Sequence, residues 1–190
     1  LKTEAGLCRN TIVRYMKCFK RITNMALAKE WMRKDPFYGY KMAQDETDPV
    51  FLTYPELKSI MEKEFTIPRL ALVRDIFVFA AFTGLAFANV STLTKDNLVQ
   101  DNNGDWWIRK GRVKLERRHR ASSVCNIPLL PVPLAILKKY EEHPICRKKS
   151  LCLPVICNQR MNSYLKEIAD LCNIRKNLTT HTAKHSKIYI

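Results

Sequence analysis

Apolar residues at intervals of three and four positions form the first pattern along the chain. The spacing predicts an amphipathic helix over residues 11–33, with Asn10 as its N-cap and Asp35-Pro36 as its end. Residues 37–50 are polar and without a period, which is typical of a linker. Because one helix needs a partner to bury its apolar face, we expect this segment to be the end of a helical domain whose beginning is absent. The apolar stripe consists of Ile12, Tyr15, Phe19, Ile22 and Ala26.

A second group of signals marks the start of a mainly helical region. Thr53 and Glu56 have the spacing of a capping box, so a helix should begin there. Residues 67–83 are apolar on nearly every face, which predicts a helix inside the core, and Gly84 supplies its C-cap. We expect a short helix over residues 87–93 to follow.

The middle of the chain has the features of strands. Residues 102–105 form a turn signal, a strand begins at Trp106, and residues 121–127 predict its hairpin partner. Two more helices are expected, one ending near Glu142 and one over residues 159–172. This order predicts a mainly α fold with a small antiparallel β-sheet, an α+β arrangement.

The charge of the chain narrows the class of partner. Lys and Arg number 33 against 18 Asp and Glu, which gives a net charge of +15. The excess predicts a polyanionic partner, most simply nucleic acid, with salt-sensitive binding. An anionic membrane surface is the other interpretation, but no predicted helix is both basic and strongly amphipathic. No segment resembles a signal peptide or a membrane span, so we expect a cytoplasmic protein.

The cysteines indicate no metal site. Seven cysteines, an odd number without a C-x-x-C pair, are typical of reduced thiols in a cytoplasm. His143, Cys146, Cys152 and Cys157 are close in sequence, but their spacing fits no common zinc pattern. No acidic cluster suits Mg²⁺. We therefore expect neither a metal nor another cofactor.

Cations are concentrated in two segments, the predicted hairpin and a basic loop over residues 147–149. The hairpin cations have Glu116 as their lone counter-charge. Such a run is better suited to contacts with a DNA backbone than to specific catalysis. The candidate DNA-binding residues are Arg109, Lys110, Arg112, Arg117, Arg118, Arg120, Arg147, Lys148 and Lys149.

A phosphate-binding pattern occurs in residues 179–185, Thr-Thr-His-Thr-Ala-Lys-His. His181 precedes the cation Lys184 by three positions at the predicted start of a helix, an arrangement that can hold a phosphate. The alternative is that His181 caps its own helix or packs against the hairpin.

These motifs, in this order, resemble the tyrosine recombinases, or phage-type integrases. Residues 81–90 contain Thr83-Gly84-Leu85-Ala86 and are similar to the first box of the family, usually Thr-Gly-Leu-Arg. His181-x-x-Lys184 is similar to the His-x-x-Arg box, and residues 125–130 to the strand that closes the family's hairpin. Residues 7–38 resemble the end of its SAM-like core-binding domain. The motifs are most similar to those of integrases from mobile elements of Bacteroides-like bacteria, which implies that the cytoplasm is a bacterial one.

The resemblance implies a domain organisation and a partner. Residues 1–45 would be the end of the helical core-binding domain with its linker, and residues 48–190 a catalytic-like domain that is incomplete at its C-terminus. Double-stranded DNA would run in the cleft between them. A homo-oligomer on the DNA is left open, and no membrane partner is expected.

The resemblance also implies a reaction. Strand transfer passes through a 3′-phosphotyrosyl intermediate without a metal, so the protein must stabilise a charged phosphorane and protonate the leaving 5′-oxygen. Lys114 is the candidate acid, although counting back from the closing strand places Arg120 there. His181 and Lys184 would hold the phosphate. Lys184 keeps the charge of the family's Arg but lacks its planar fork.

Several family residues are replaced or missing. Ala86 stands at the first Arg, and its methyl group cannot bind phosphate; Asn89 either supports the site or is an ordinary surface residue. Tyr189 follows His181 too closely to be the nucleophile, so we expect a C-terminally truncated chain. The function indicated is a site-specific recombinase that lacks its nucleophilic tyrosine. The alternative is a non-catalytic DNA-binding remnant that acts as a competitor or architectural factor.

Overall fold

The structure is a computed structural model that describes residues 6–111 and 124–186. Its internal contacts divide the chain into unit 1, up to Asp48, and unit 2, from Pro49 onward. The described residues are mostly helical with one three-stranded antiparallel sheet, so the predicted fold class is confirmed. Six candidate residues lie outside the described residues: Arg112, Lys114, Arg117, Arg118, Arg120 and Tyr189.

Unit 1 contains a long helix, α1 (Arg9–Ala28), which begins and ends earlier than predicted. Its N-cap is Cys8, so the prediction that Asn10 caps the helix is wrong. The Nδ2 of Asn10 instead donates to the carbonyl of Asp45 at 3.0 Å, and its Oδ1 accepts from the N–H of Asp45 at 2.8 Å. The side chain therefore binds a distant backbone segment rather than the free N–H groups at the start of its own helix.

Most of the apolar stripe of α1 is exposed to solvent. Tyr15, Phe19 and Ile22 are 62%, 52% and 64% exposed. Phe37 makes an edge-to-face contact with Phe19, with ring centroids 5.6 Å apart. Val13, which lies outside the stripe, is buried.

Unit 2 is built around α3 (Pro68–Thr83), which is buried along most of its length, as predicted. Other helices of unit 2 pack against it on several sides. The helix ends at Gly84, whose φ of +66° is a left-handed conformation that glycine adopts without steric cost. A short helix, α4 (Phe87–Val90), follows.

The first helix of unit 2, α2 (Tyr54–Glu62), begins with the predicted capping box. Glu56 Oε2 accepts from the N–H of Thr53 at 2.7 Å and from Lys176 Nζ at 2.7 Å. Burial alone would raise the pKa of Glu56, but the hydrogen bonds from Lys176 and Thr53 outweigh it and hold the pKa below its ordinary value. One carboxylate thus fixes the helix start and ties it to the segment after residue 171.

The sheet has the strand order β1-β2-β3, with both pairs antiparallel. Its strands are β1 (Leu98–Gln100), β2 (Trp106–Gly111) and β3 (Val124–Pro128). Ile108, which is fully buried, lies opposite Leu98 on one side and Ile127 on the other. The central strand therefore attaches the sheet to the core of unit 2.

Asp101 organises the turn between β1 and β2. Its Oδ1 accepts from the N–H groups of Asn103 and Asp105, both at 2.9 Å, and its Oδ2 accepts from Trp107 Nε1 at 2.9 Å. The indole hydrogen bond, followed by that from Asp105, lowers the pKa of Asp101. The turn predicted at residues 102–105 therefore depends on the carboxylate that precedes it.

The remaining described helices of unit 2 are α5 (Pro131–Tyr140), α6 (Pro144–Lys149), α7 (Asn158–Leu171) and α8 (Thr180–His185). Helix α6 includes residues 147–149, so the prediction that these residues form a loop is wrong. It begins at Pro144, a residue favoured in the first turn, and His143 Nδ1 accepts from the N–H of Ile145 at 3.2 Å.

A buried carboxylate joins α3 to α5. Asp75 has a side chain that is 8% exposed, and it accepts from Arg74 Nε at 2.8 Å, Lys139 Nζ at 2.7 Å and the hydroxyl of Tyr140 at 2.8 Å. Burial and then the hydrogen bond to Asp75 raise the pKa of Tyr140. Because Lys139 and Tyr140 lie on α5, these hydrogen bonds fix α5 against the central helix.

Candidate nucleic-acid interface

Helix α8 carries the predicted phosphate-binding residues, and two threonines determine where it begins. Thr179 is the N-cap, and its hydroxyl accepts from the N–H of Thr182 at 3.3 Å. The hydroxyl of Thr182 in turn accepts from the N–H of Thr179 at 3.2 Å. The two side chains act as a capping box and start the helix immediately before His181.

Buried contacts anchor this short helix to unit 2. Thr182 and Ala183 are buried, and α8 packs against α3. At its end, Ser186 Oγ accepts from the N–H of Leu52 at 2.7 Å and donates to the carbonyl of Thr182 at 2.8 Å. Helix α8 is therefore held by its inner face and by its C-terminal end.

The start of α8 is also bonded to α7. The N–H of Thr180 donates to Asn162 Oδ1 at 2.9 Å, and its hydroxyl donates to Asn158 Oδ1 at 2.8 Å. Both asparagines lie on α7 one turn apart. These bonds fix the backbone next to His181.

The outer face of α8 presents His181, Lys184 and His185 to solvent. The Nε2 atoms of the two histidines are 3.0 Å apart. One nitrogen must donate and the other accept, so in either tautomer Nε2 of His181 is bonded to His185. Sequence reasoning did not select His185, although its four-residue spacing from His181 was a usable signal.

The structure brings the two box-like motifs together. Helix α4, which follows Ala86, and helix α8 border one small apolar cleft over α3. Its lining includes Phe87 and Val90 from the first motif and Thr180 and Ala183 from the second. Ala86 is the N-cap of α4, and Asn89 is half-buried.

Of the hairpin cations, Arg109 and Lys110 are described. Arg109 is exposed. Lys110 Nζ donates to the carbonyl of Thr92 at 2.5 Å and to Asn97 Oδ1 at 3.0 Å. Lys110 thus fastens the base of the hairpin to the preceding segment.

The second group of cations lies on α6, where Arg147, Lys148 and Lys149 are exposed in the last turn. Arg147 pairs with Glu142, whereas Lys148 and Lys149 form no ion pair within the described ranges. Leu151 pairs with Thr94 in an isolated β-bridge. The cations of α6 and the base of the hairpin therefore border one segment, residues 92–97.

The clustered thiols differ in environment. Burial raises the pKa of Cys146, and it raises the pKa of Cys152 to about 11, whereas Cys157 is exposed. Among residues 6–111 and 124–186, no group of three or more His, Cys, Asp or Glu side chains could hold a metal ion. In the same residues, no helix has both the length and the apolar character that a membrane span requires.

Comparison with known proteins agrees with this architecture. A family model described as the phage integrase SAM-like domain matches residues 1–42. The search of curated proteins found no match.

Solved recombinases share the fold. The Tn1549 transposon integrase in complex with a circular intermediate DNA aligns with a TM-score of 0.68 and 18% identity, over 96% of this chain and 67% of the integrase chain. The XerH site-specific recombinase bound to difH substrate gives a TM-score of 0.54 and 19% identity, over 73% of this chain.

The alignment with XerH spans 41% of the XerH chain. The XerA recombinase gives a TM-score of 0.50 and 14% identity, over 92% of this chain and 57% of XerA. Together with the helical order and the small antiparallel sheet, these matches show that the chain has the fold of a tyrosine recombinase catalytic domain preceded by a SAM-like segment.

Proposed function

We propose that the chain binds double-stranded DNA as part of a site-specific recombinase of the integrase type. Helix α8 is the observation that carries this proposal. Its inner face is buried on α3, its ends are bonded to α7 and Leu52, and its outer face presents His181 and Lys184. A cation and an imidazole on a rigid support suit a DNA phosphate, because their positions are fixed before the ligand arrives.

The charge distribution supports the same partner. The net charge of +15 favours a polyanion, and Lys148 and Lys149 stand unpaired, within the described ranges, beside the base of the hairpin. Solved structures of the same fold include complexes with DNA, those of XerH and of the Tn1549 integrase. Phosphate contacts from such lysines position a protein on a duplex without reading its sequence.

For strand transfer, His181 and Lys184 would stabilise the phosphorane, and Lys114 would protonate the leaving 5′-oxygen. The His181–His185 hydrogen bond must open or rearrange before Nε2 of His181 can donate to a phosphate oxygen. We assign no nucleophile in this chain, and Tyr189 lies outside the described residues.

The alternative is a DNA-binding protein without recombinase activity. Ala86 favours it, because the N-cap of α4 carries a methyl group where the family resemblance places an arginine. Lys184 favours it too, since a lysine holds one phosphate oxygen where an arginine holds two. Both functions require DNA binding, and they differ only in the covalent step.

Salt-dependent binding to a labelled duplex tests DNA binding, which both functions require. We expect the logarithm of affinity to fall steeply with the logarithm of salt concentration. Lys184→Gln should reduce that slope by about one, because one phosphate contact is lost. Lys58→Gln is the matched control: it removes the same charge from α2, where Lys58 pairs with Glu62, and should leave the slope unchanged. Equal slopes for the two variants would contradict the assignment of α8.

A nicked duplex that traps the covalent intermediate distinguishes the two functions. We expect no DNA adduct with this chain alone. An adduct that is lost on Tyr189→Phe would show that Tyr189 is the nucleophile after all and would exclude the non-catalytic alternative.

A further inference from the structure

His181 and His185 form a geometry that phosphate binding does not require. Their rings lie 4.5 Å apart at 81°, and their Nε2 atoms are 3.0 Å apart. Both side chains are exposed on one face of α8, because residues four apart on a helix are neighbours. Histidines with this spacing on a helix are a common way to bind a transition metal.

The chemistry of the two ligands indicates a class of metal. Imidazole nitrogen suits zinc, copper, iron and nickel, and the affinity of a given site for first-row divalent ions rises through nickel to copper. The 3.0 Å between the two Nε2 atoms is the length of their hydrogen bond. A chelate needs both lone pairs to point at one ion, so rotation of the rings must replace this bond with two metal–nitrogen bonds of about 2.1 Å.

We propose that His181 and His185 chelate a divalent transition-metal ion of the nickel or copper class through their Nε2 atoms. Water completes the coordination, since no third side-chain ligand joins the pair in the described ranges. The metal replaces the hydrogen bond that now joins the two rings.

The support of α8 prepares the pair for binding. Thr182 and Ala183, between the two histidines, are buried, and Ser186 fixes the end of the helix to Leu52. The backbone that carries the rings is therefore held in place before the ion arrives, so little conformational entropy is lost on binding. Lys184 lies between the two ligands in sequence, and its charge lowers the affinity without removing a ligand.

Metal binding has a consequence that rests on the proposed function. When Nε2 of His181 coordinates a metal, its lone pair is occupied and it carries no proton. It cannot then donate a hydrogen bond to a DNA phosphate. The metal and the phosphate therefore compete for one atom, and the ion acts as an inhibitor of DNA binding.

Titration of the full chain with NiCl₂ by calorimetry tests the metal site, with thiols kept reduced by a non-chelating phosphine. We expect His185→Ala and His181→Ala each to weaken Ni²⁺ binding by roughly tenfold or more, since even the loss of a partner to a ligand costs that much. His143→Ala removes a histidine at the start of α6 and should leave the affinity unchanged. Both target side chains are exposed, so circular dichroism should show native folding in the variants. Equal Ni²⁺ affinity in wild type and His185→Ala overturns the proposal.

A duplex-binding assay with and without Ni²⁺ tests the competition. We expect Ni²⁺ to weaken DNA binding by the wild-type chain and to have no effect on His185→Ala. Equal DNA affinity of the wild type with and without Ni²⁺ overturns the competition. Absence of DNA binding before any metal is added overturns the proposed function instead, and the calorimetric result for the metal site is independent of it.

Discussion

Helices α1 and α3 use their apolar side chains in opposite ways. Helix α3 is buried on nearly every face because other helices of unit 2 surround it. Helix α1 has a regular apolar stripe, yet Tyr15, Phe19 and Ile22 are more than half exposed. The difference shows that periodicity determines that a helix forms, whereas burial depends on the elements that pack around it.

Polar side chains show the same contrast. Asp75 in unit 2 is buried and accepts from three side chains. Asp45 in unit 1 has a side chain that is 54% exposed and forms an ion pair with Arg9 at 3.2 Å. One carboxylate belongs to the core and the other to the surface.

The largest expected effect is a difference in stability between two Phe→Ala variants, one in α3 and one in α1. Phe79→Ala in α3 removes a side chain with 0% exposure and should lower the free energy of unfolding by about 3–5 kcal/mol. Phe19→Ala in α1, where the ring is 52% exposed, should cost less than about 1 kcal/mol. Urea denaturation followed by circular dichroism measures both. Similar losses for the two variants would show that α1 is packed in solution.

The next largest difference in stability is expected between two variants that each lack one carboxylate, that of Asp75 or that of Asp45. Asp75→Ala leaves Arg74 and the hydroxyl of Tyr140 without their buried acceptor, and we expect a loss of about 3 kcal/mol. Asp45→Ala removes an exposed ion pair and should cost about 1 kcal/mol or less. Thermal unfolding of the two variants provides the comparison. A stable Asp75→Ala variant would mean that water replaces the lost carboxylate.

A smaller effect is expected at the end of α8. Ser186→Ala leaves the buried N–H of Leu52 without an acceptor and should cost about 1–3 kcal/mol. Ser91→Ala is the control, because its hydroxyl donates to the exposed carbonyl of Ala88, and it should change stability by no more than about 0.5 kcal/mol. DNA binding measured on both should weaken only for Ser186→Ala, because α8 loses its anchor. Unchanged protection of the Leu52 amide from hydrogen exchange would contradict this assignment.

The smallest effect is a dependence on pH at the turn before β2. The pKa of Asp101 is lowered in the folded chain, chiefly by the indole of Trp107, so its contribution to stability is present above the unfolded pKa. That contribution is lost as the pH falls below about 4 and through the lower folded pKa. The difference in urea midpoint between wild type and Asp101→Asn should therefore shrink from pH 7 to pH 3. A difference that stays constant would show that Trp107 does not bind the charged carboxylate.

Local signals in the sequence predicted much of unit 2. The capping box at Thr53, the apolar run of α3 and the Gly84 cap all depend on residues close in sequence. Residues 147–149 were predicted to be a loop because three consecutive cations suggest a solvated segment. The prediction missed the helix start at Pro144. Charge describes solvation, whereas the start of a helix depends on which groups bond its free N–H groups.

The candidate site was harder to predict because its geometry depends on distant residues. His181 was selected from its motif, but the bond to His185 required the rotamers of both rings. The bond of Lys110 to Thr92 joins residues 18 apart, and that of Asn10 to Asp45 joins residues 35 apart. No periodicity or motif in the sequence predicts such long-range contacts. The assignments of His181, Lys184 and the described cations as DNA ligands stay predictions.

The hydrogen bond between Ser186 and Leu52 joins residues 134 positions apart in the chain. At a synthesis rate of about 5–20 residues per second, Leu52 is synthesised roughly 7–27 s before its acceptor, Ser186. Closure of so long a loop is also slow, because the chain loses conformational entropy before the hydrogen bond can stabilise the closed form. The helix that carries His181 should therefore be among the last parts of unit 2 to dock, and a newly made chain would position His181 and Lys184 only after the rest of the core has formed.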